Sequence, residues 1–131
     1  MPPERPEFAS PDDLQAPPGY SHVVTIPTGR LVWTAGQVGL DVDGVAPGGW
    51  EAQTRLAFEN VGRALRAGGA DWPDVVKLTI FAVDVSEVAV IRAIRDEFVD
   101  ASRPPTSSLV QVAGLVRPDC LIEVEAVAWT A

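Results

Sequence analysis

The chain has 131 residues, of which 47% are hydrophobic and 21% are charged. This size and composition predict a single soluble domain, 1–131, that buries a core without disulfide bonds. The formal net charge is −8 and the basic residues are scattered, which argues against nucleic acid as a partner. We expect neither a signal peptide nor a membrane span, and a single cysteine, Cys120, fits a reducing cytoplasm.

The N-terminal third predicts an arm followed by two short strands. Six prolines make residues 1–19 an extended arm without helical or strand periodicity. Residues 22–26 and 31–35 are rich in β-branched and aromatic side chains, and the turn residues Pro27–Gly29 between them predict a hairpin. Gly36 follows the second strand and allows a close backbone approach or a bulge there.

The remaining elements alternate between helix and strand. Apolar residues recur at helical spacing over 50–67 and again over about 88–98. A β-branched run over 75–83 and two later segments, 107–113 and 121–129, predict strands. The order β-β-α-β-α-β-β predicts an α+β fold in which two helices pack on one face of a mixed sheet.

The last predicted strand has two different faces. Alternate residues from Ile122 to Ala128 are apolar and can pack under the helices. The opposite face places Glu123 and Glu125 among large apolar side chains, and the strand over 75–83 has a comparable second face. Since a face this apolar does not stand alone in water, we expect subunits to join sheet to sheet in a homo-oligomer.

Seven short segments occur in an order that matches one known family over about residues 16–130. They are Gly19–His22, Thr34–Gln37, Gln53–Arg55, Glu59–Val61, Val76–Lys77, Pro104–Leu115 and Ile122–Ala128. On these segments the chain resembles the Rid/YjgF/UK114 family of reactive-intermediate (imine and enamine) deaminases. The resemblance implies a chorismate-mutase-like fold and a homotrimer whose sheets form a central barrel. It also implies a small-molecule cleft between adjacent subunits.

The resemblance further implies which residues line that cleft. Tyr20 stands at the position of the family's cleft tyrosine, Gly36 at that of its glycine, and Glu123 at that of the glutamate that positions or activates water. Four other cleft positions differ from the family's deaminases. They are Ala35 in place of serine, Arg92 in place of asparagine, Ser107 in place of arginine and Leu109 in place of cysteine.

Ser107 is the substitution that bears most on function. In the resembled deaminases the arginine holds the carboxylate of a 2-imino or 2-enamino acid in a bidentate grip, whereas serine supplies one donor and no charge. Arg92 offers a relocated guanidinium; the alternative is a solvent-facing helix arginine paired with Asp96 at i+4. Glu123 is likewise either an acid–base group or a structural glutamate at a subunit junction.

Two hypotheses of function remain. The first is an enzyme that acts on an imine, enamine or related reactive intermediate by hydrolysis or acid–base chemistry, without being a typical 2-iminoacid deaminase. Its catalytic residue would be Glu123, and its substrate contacts would be Tyr20, Ala35, Gly36, Arg92, Ser107 and Leu109. The second is a non-catalytic trimer that binds or senses a small ligand.

The other reactive side chains fit structural roles better. His22 is a lone histidine in a predicted strand, and Cys120 stands in a turn with no histidine nearby in sequence. No metal-ligand cluster or phosphate loop is present, so we expect no metal and no cofactor. The ribonuclease label that some members of the resembled family carry fits poorly with a net charge of −8.

Overall fold

The computed structural model describes residues 4–131 and has an α+β architecture. Its elements are β1 (Glu7–Ala9), β2 (Val23–Thr25), β3 (Arg30–Trp33), β4 (Gln37–Val38), α1 (Trp50–Ala67), β5 (Val75–Ala82), α2 (Val88–Phe98), β6 (Thr106–Gln111) and β7 (Ile122–Thr130). Two helices packed on a mixed sheet are confirmed. Residues 1–3 of the predicted arm lie outside the described residues, and β1 gives the arm a short strand that its sequence did not predict.

The main sheet is organised around β7. Its strands follow the order β3-β7-β5-β6, with β5 and β6 parallel and the other pairs antiparallel. β4 also pairs with β7, so β3 and β4 are two halves of one interrupted edge. At the interruption, the Thr34 N–H donates to the Ala126 carbonyl at 3.0 Å and the Ala126 N–H donates to Thr34 Oγ1 at 3.0 Å.

The core lies between the helices and one face of this sheet. On β7 the alternate residues Ile122, Val124, Ala126 and Ala128 are at most 1% exposed, as their spacing predicts. They pack with buried side chains of β5 and the helices, among them Leu78, Ile80, Phe58, Val61, Leu65, Ile91 and Ile94. Each large apolar side chain buried in this way stabilises the fold by about 1.5–3 kcal/mol.

The predicted hairpin between residues 22–26 and 31–35 is wrong. β2 pairs with β1, while β3 pairs with β7. The connection at Pro27–Gly29 bends around the indole of Trp129, whose Nε1 donates to the Pro27 carbonyl at 3.2 Å. Pairing with the long buried β7 also lets Val32 face the helix layer, where it packs against the core. A local hairpin would not provide this burial.

The second helix begins after a short 3-10 turn. Asp84 caps that turn by accepting a hydrogen bond from the Ser86 N–H at 2.9 Å. Hydrogen bonding from the Ser86 side chain, and then from the Ser86 backbone N–H, lowers the pKa of the Asp84 carboxyl. The capped turn connects the end of β5 at Ala82 to the start of α2 at Val88.

Over residues 4–131, none of the helices has the length and apolar character needed to cross a membrane. The same part of the chain contains no group of three or more histidine, cysteine or acidic side chains placed to hold a metal ion.

Candidate functional site

A cavity opens on the helix side of the sheet, beside the edge strand β6. In the parallel register Ser107 pairs with Leu78 and Leu109 pairs with Ile80. Leu78 and Ile80 face the helices, so Ser107 and Leu109 face them too. The cavity has a volume of about 220 Å³.

 Seven side chains line it: Tyr20, Ile80, Ile91, Arg92, Arg95, Ser107 and Leu109.

Tyr20 reaches this cavity because the segment around it is bonded to the residues that precede β6. The Ser21 N–H donates to the Pro105 carbonyl at 3.1 Å, and Ser21 Oγ donates to the Pro104 carbonyl at 2.5 Å. The ring of Tyr20 meets the ring of His22 edge-on, with centroids 5.3 Å apart. These contacts hold a loop residue against the start of an edge strand, which sequence periodicity does not predict.

Two arginines of α2 face the cavity. Arg92 and Arg95 are three residues apart, so they lie on the same side of the helix. Arg92 is exposed, and among residues 4–131 it forms no ion pair within 4.0 Å. The alternative interpretation paired it with Asp96, but Asp96 accepts from Nε of Arg95 instead, at 3.0 Å.

Glu123 and Gly36 meet on the opposite face of the sheet. Glu123 alternates with the buried residues Ile122 and Val124, so its side chain points away from the helices. It lies against Gly36, where a Cβ would overlap the carboxylate and would lie 2.7 Å from its Cδ. Ala35 is exposed beside this contact. Within one protomer, therefore, Tyr20, Arg92, Ser107 and Leu109 come together, whereas Ala35, Gly36 and Glu123 form a separate group.

Two other hollows have less suitable linings. A groove of about 560 Å³ runs beside α1, but its cation, Arg63, already contacts Glu59 and Asn60. A hollow of about 280 Å³ lies under the N-terminal arm, where the guanidinium of Arg103 sits 4.9 Å from the ring centroid of Phe8. Neither hollow contains any of the residues predicted from the sequence to bind substrate.

Three cavity residues were not predicted from the sequence: Ile80, Ile91 and Arg95, of which only Arg95 is charged. The helical pattern allowed either Ile94 or Arg95 on the inward side of α2, and the structure buries both. The spacing of three residues between Arg92 and Arg95 could have predicted that Arg95 lines the same cavity, because i and i+3 side chains share a helix face.

Comparisons with known proteins agree with this architecture. A family model described as endoribonuclease L-PSP matches residues 11–130. The chain belongs to the Rid/YjgF family. It is 33% identical over 111 residues to the mouse 2-iminobutanoate/2-iminopropanoate deaminase, an alignment that covers 83% of this chain and 79% of the mouse protein.

Two solved structures extend the likeness of this Rid chain to three dimensions. YyfB of Yersinia pestis, a Rid protein of unknown function, has a TM-score of 0.83 and 32% identity, over 96% of this chain and 99% of that one. Escherichia coli TdcF with bound serine has a TM-score of 0.72 and 29% identity, over 98% of this chain and 100% of that one. The fold implied by the sequence resemblance is thereby confirmed.

Proposed function

We propose that this chain is a divergent Rid enzyme that hydrolyses an imine, an enamine or a related reactive intermediate in a cleft between subunits. The observation that carries the proposal is the cavity that Tyr20, Arg92 and Ser107 line together. Arg92 supplies there the positive charge that Ser107 lacks. A ligand carboxylate would therefore bind to an arginine on the helix, whereas a typical 2-iminoacid deaminase would bind it with an arginine at the strand position of Ser107.

The proposed reaction needs a water, an acid–base group and a grip on the substrate. Water adds to the carbon of the C=N bond, the nitrogen is protonated, and ammonia leaves as the C=O bond forms. Glu123 would take the proton from the attacking water, while Tyr20 and Ser107 would donate hydrogen bonds to the substrate. Such acid–base catalysis is worth about 10²–10⁴-fold in rate.

The proposed cleft requires more than one protomer. Glu123 points away from the cavity of its own chain. It would therefore act on a substrate bound in the cavity of a neighbouring copy. A homotrimer joined through the outer faces of the sheets would satisfy this requirement. It would also cover Leu31 and Trp33 of β3, which are 42% and 71% exposed in the single chain.

A second candidate function is a trimer that binds a small ligand without converting it. The placement of Glu123 and Ser107 on different faces of the sheet favours this candidate if the subunits assemble in another way. Ribonuclease activity is the least favoured, because a net charge of −8 opposes phosphate binding.

The test is an imine-hydrolysis assay on a panel that includes 2-iminobutanoate and a neutral imine, both generated in situ. Glu123→Gln should abolish turnover, and Arg92→Ala should lower kcat/KM by roughly ten- to hundredfold for anionic substrates only. Arg63→Ala, an exposed arginine of α1, is the matched control and should behave as the wild type.

Each outcome decides between the candidates. Full activity of Glu123→Gln would remove Glu123 from the mechanism. A wild-type protein that binds an imine analogue but converts no imine of the panel would be the ligand-binding trimer. A sedimentation mass other than that of three chains would reject the proposed assembly.

A further inference from the structure

The Arg95 guanidinium is buried beneath the turn that carries Tyr20. Its side chain is only 7% exposed, and its Nε donates to Asp96 Oδ1 at 3.0 Å. Nη2 donates to the Pro18 carbonyl at 3.5 Å, the limit of a hydrogen bond. Burying a charge is costly unless its hydrogen-bonding groups are satisfied, and Nη1 has no hydrogen-bond partner within residues 4–131. Part of the guanidinium fork therefore remains available to a ligand in the cavity.

Gly19 shows how closely the turn rests on this group. Its φ of 85° lies in the left-handed region, which a side chain makes costly. A Cβ at this position would overlap Nη2 of Arg95 and lie 3.1 Å from Cζ. The backbone directly before Tyr20 thus lies on the guanidinium with no room for a side chain between them.

We propose that Arg95 is a specificity-determining residue of this cavity, which binds a carboxylate together with Arg92 and positions Tyr20 beside it. Arg92 and Arg95 are successive cations on one face of α2, and both line the cavity opposite Ser107. Asp96 offsets one of the two charges, which leaves the pair with a net positive charge for a monoanion.

The cavity walls indicate the rest of the ligand. Ile80, Ile91 and Leu109 form an apolar surface beside the two guanidinium groups. A ligand that fits is a small carboxylate with a short alkyl substituent. This inference rests on the proposed function only in assigning the ligand to the same cavity.

Tyr20 is the only tyrosine in the chain, which makes a site-specific test available. Protein labelled with ¹³C in the tyrosine ring gives NMR signals from this side chain alone. We would titrate it with 2-oxobutanoate, the oxo acid that hydrolysis of 2-iminobutanoate yields, and with the neutral 2-oxobutanamide. The wild-type signals should shift saturably with the anion and much less with the amide.

The variants separate charge from geometry. Arg95→Met should weaken binding of 2-oxobutanoate by roughly ten- to hundredfold, because one charge-assisted contact is lost. Arg95→Lys keeps the charge but loses the planar fork, so its affinity for 2-oxobutanoate should lie between those of the wild type and Arg95→Met. Arg63→Ala should bind as the wild type does.

Gly19→Ala perturbs the contact between this turn and Arg95 by adding a Cβ to the turn. It leaves every charge in place, yet it must displace the guanidinium, so the Tyr20 signals of the free protein should move and anion binding should weaken. If Arg95→Met does not fold, Arg95→Lys and Gly19→Ala still decide the question.

Several results would overturn the proposal. They are wild-type affinity in both Arg95 variants, equal binding of the anion and the amide, and no response of Tyr20 to the anion in the wild type. Its failure is distinguishable from that of the proposed reaction. Arg95-dependent binding without imine turnover would refute only the reaction, and turnover indifferent to Arg95 would refute only the role of Arg95.

Discussion

Thr34→Val should destabilise the protein by about 2 kcal/mol, because it removes the acceptor of a buried backbone N–H. Thr34 is 8% exposed and lies where β3 ends, and its Oγ1 accepts from the Ala126 N–H at 3.0 Å. Valine replaces the hydroxyl by a methyl group of similar size, so no cavity opens. The cost is that of an unpaired buried donor, about 1–3 kcal/mol.

Urea denaturation measures this cost. With a slope of about 2 kcal/mol per molar, a loss of about 2 kcal/mol lowers the urea midpoint by about 1 M. For a chain of this size, the melting temperature should fall by about 8 °C. The comparison must be made at one protein concentration, since association of subunits would add to the apparent stability.

Two further variants isolate the contribution of the Thr34 hydroxyl oxygen to stability. Thr34→Ser keeps the acceptor and loses only a methyl group, so it should be more stable than Thr34→Val. Thr34→Ala loses both groups and should be the least stable of the three. A Thr34→Val protein as stable as the wild type would refute the reasoning, since the Ala126 N–H would then have found another acceptor.

Three more predictions concern the site and its surroundings. Gly36→Ala should lower imine turnover by about 100-fold without unfolding the protein, since its Cβ would displace Glu123; turnover at the wild-type rate in the folded variant would contradict this. Gln53→Ala should lower the unfolding free energy by about 3 kcal/mol in urea denaturation, because its amide donates to Pro47 and Asp119 carbonyls and accepts from the Leu121 N–H; a loss below about 1 kcal/mol would show that water replaces these bonds. Burial, with a smaller contribution from the Asp119 carboxylate, raises the pKa of Cys120, so a disulfide reagent should label the native thiol much more slowly than the unfolded one, and the stability contribution of this thiol should be lost as the pH rises above its unfolded pKa. Equal labelling rates would argue against that burial.

Much of the secondary structure could be predicted from local pattern. The helix predicted over 50–67 has those bounds in the structure, because its apolar spacing and the glycines after it are local signals. The partner of β3 could not be predicted in this way. Pro27–Gly29 is a plausible turn in isolation, and only burial against β7, about a hundred residues away, outweighs it.

For the candidate site, the sequence by itself determined which side chains are available: a serine at 107 without charge, an arginine at 92 and a glutamate at 123. The tertiary structure alone decided their grouping. The period of two along β6 and β7, combined with the register between strands, puts Ser107 on the helix side and Glu123 on the other. Tertiary structure also buries Arg95 beneath Gly19. The sequence could not predict this contact, because the two segments are distant in the chain and carry no common local pattern.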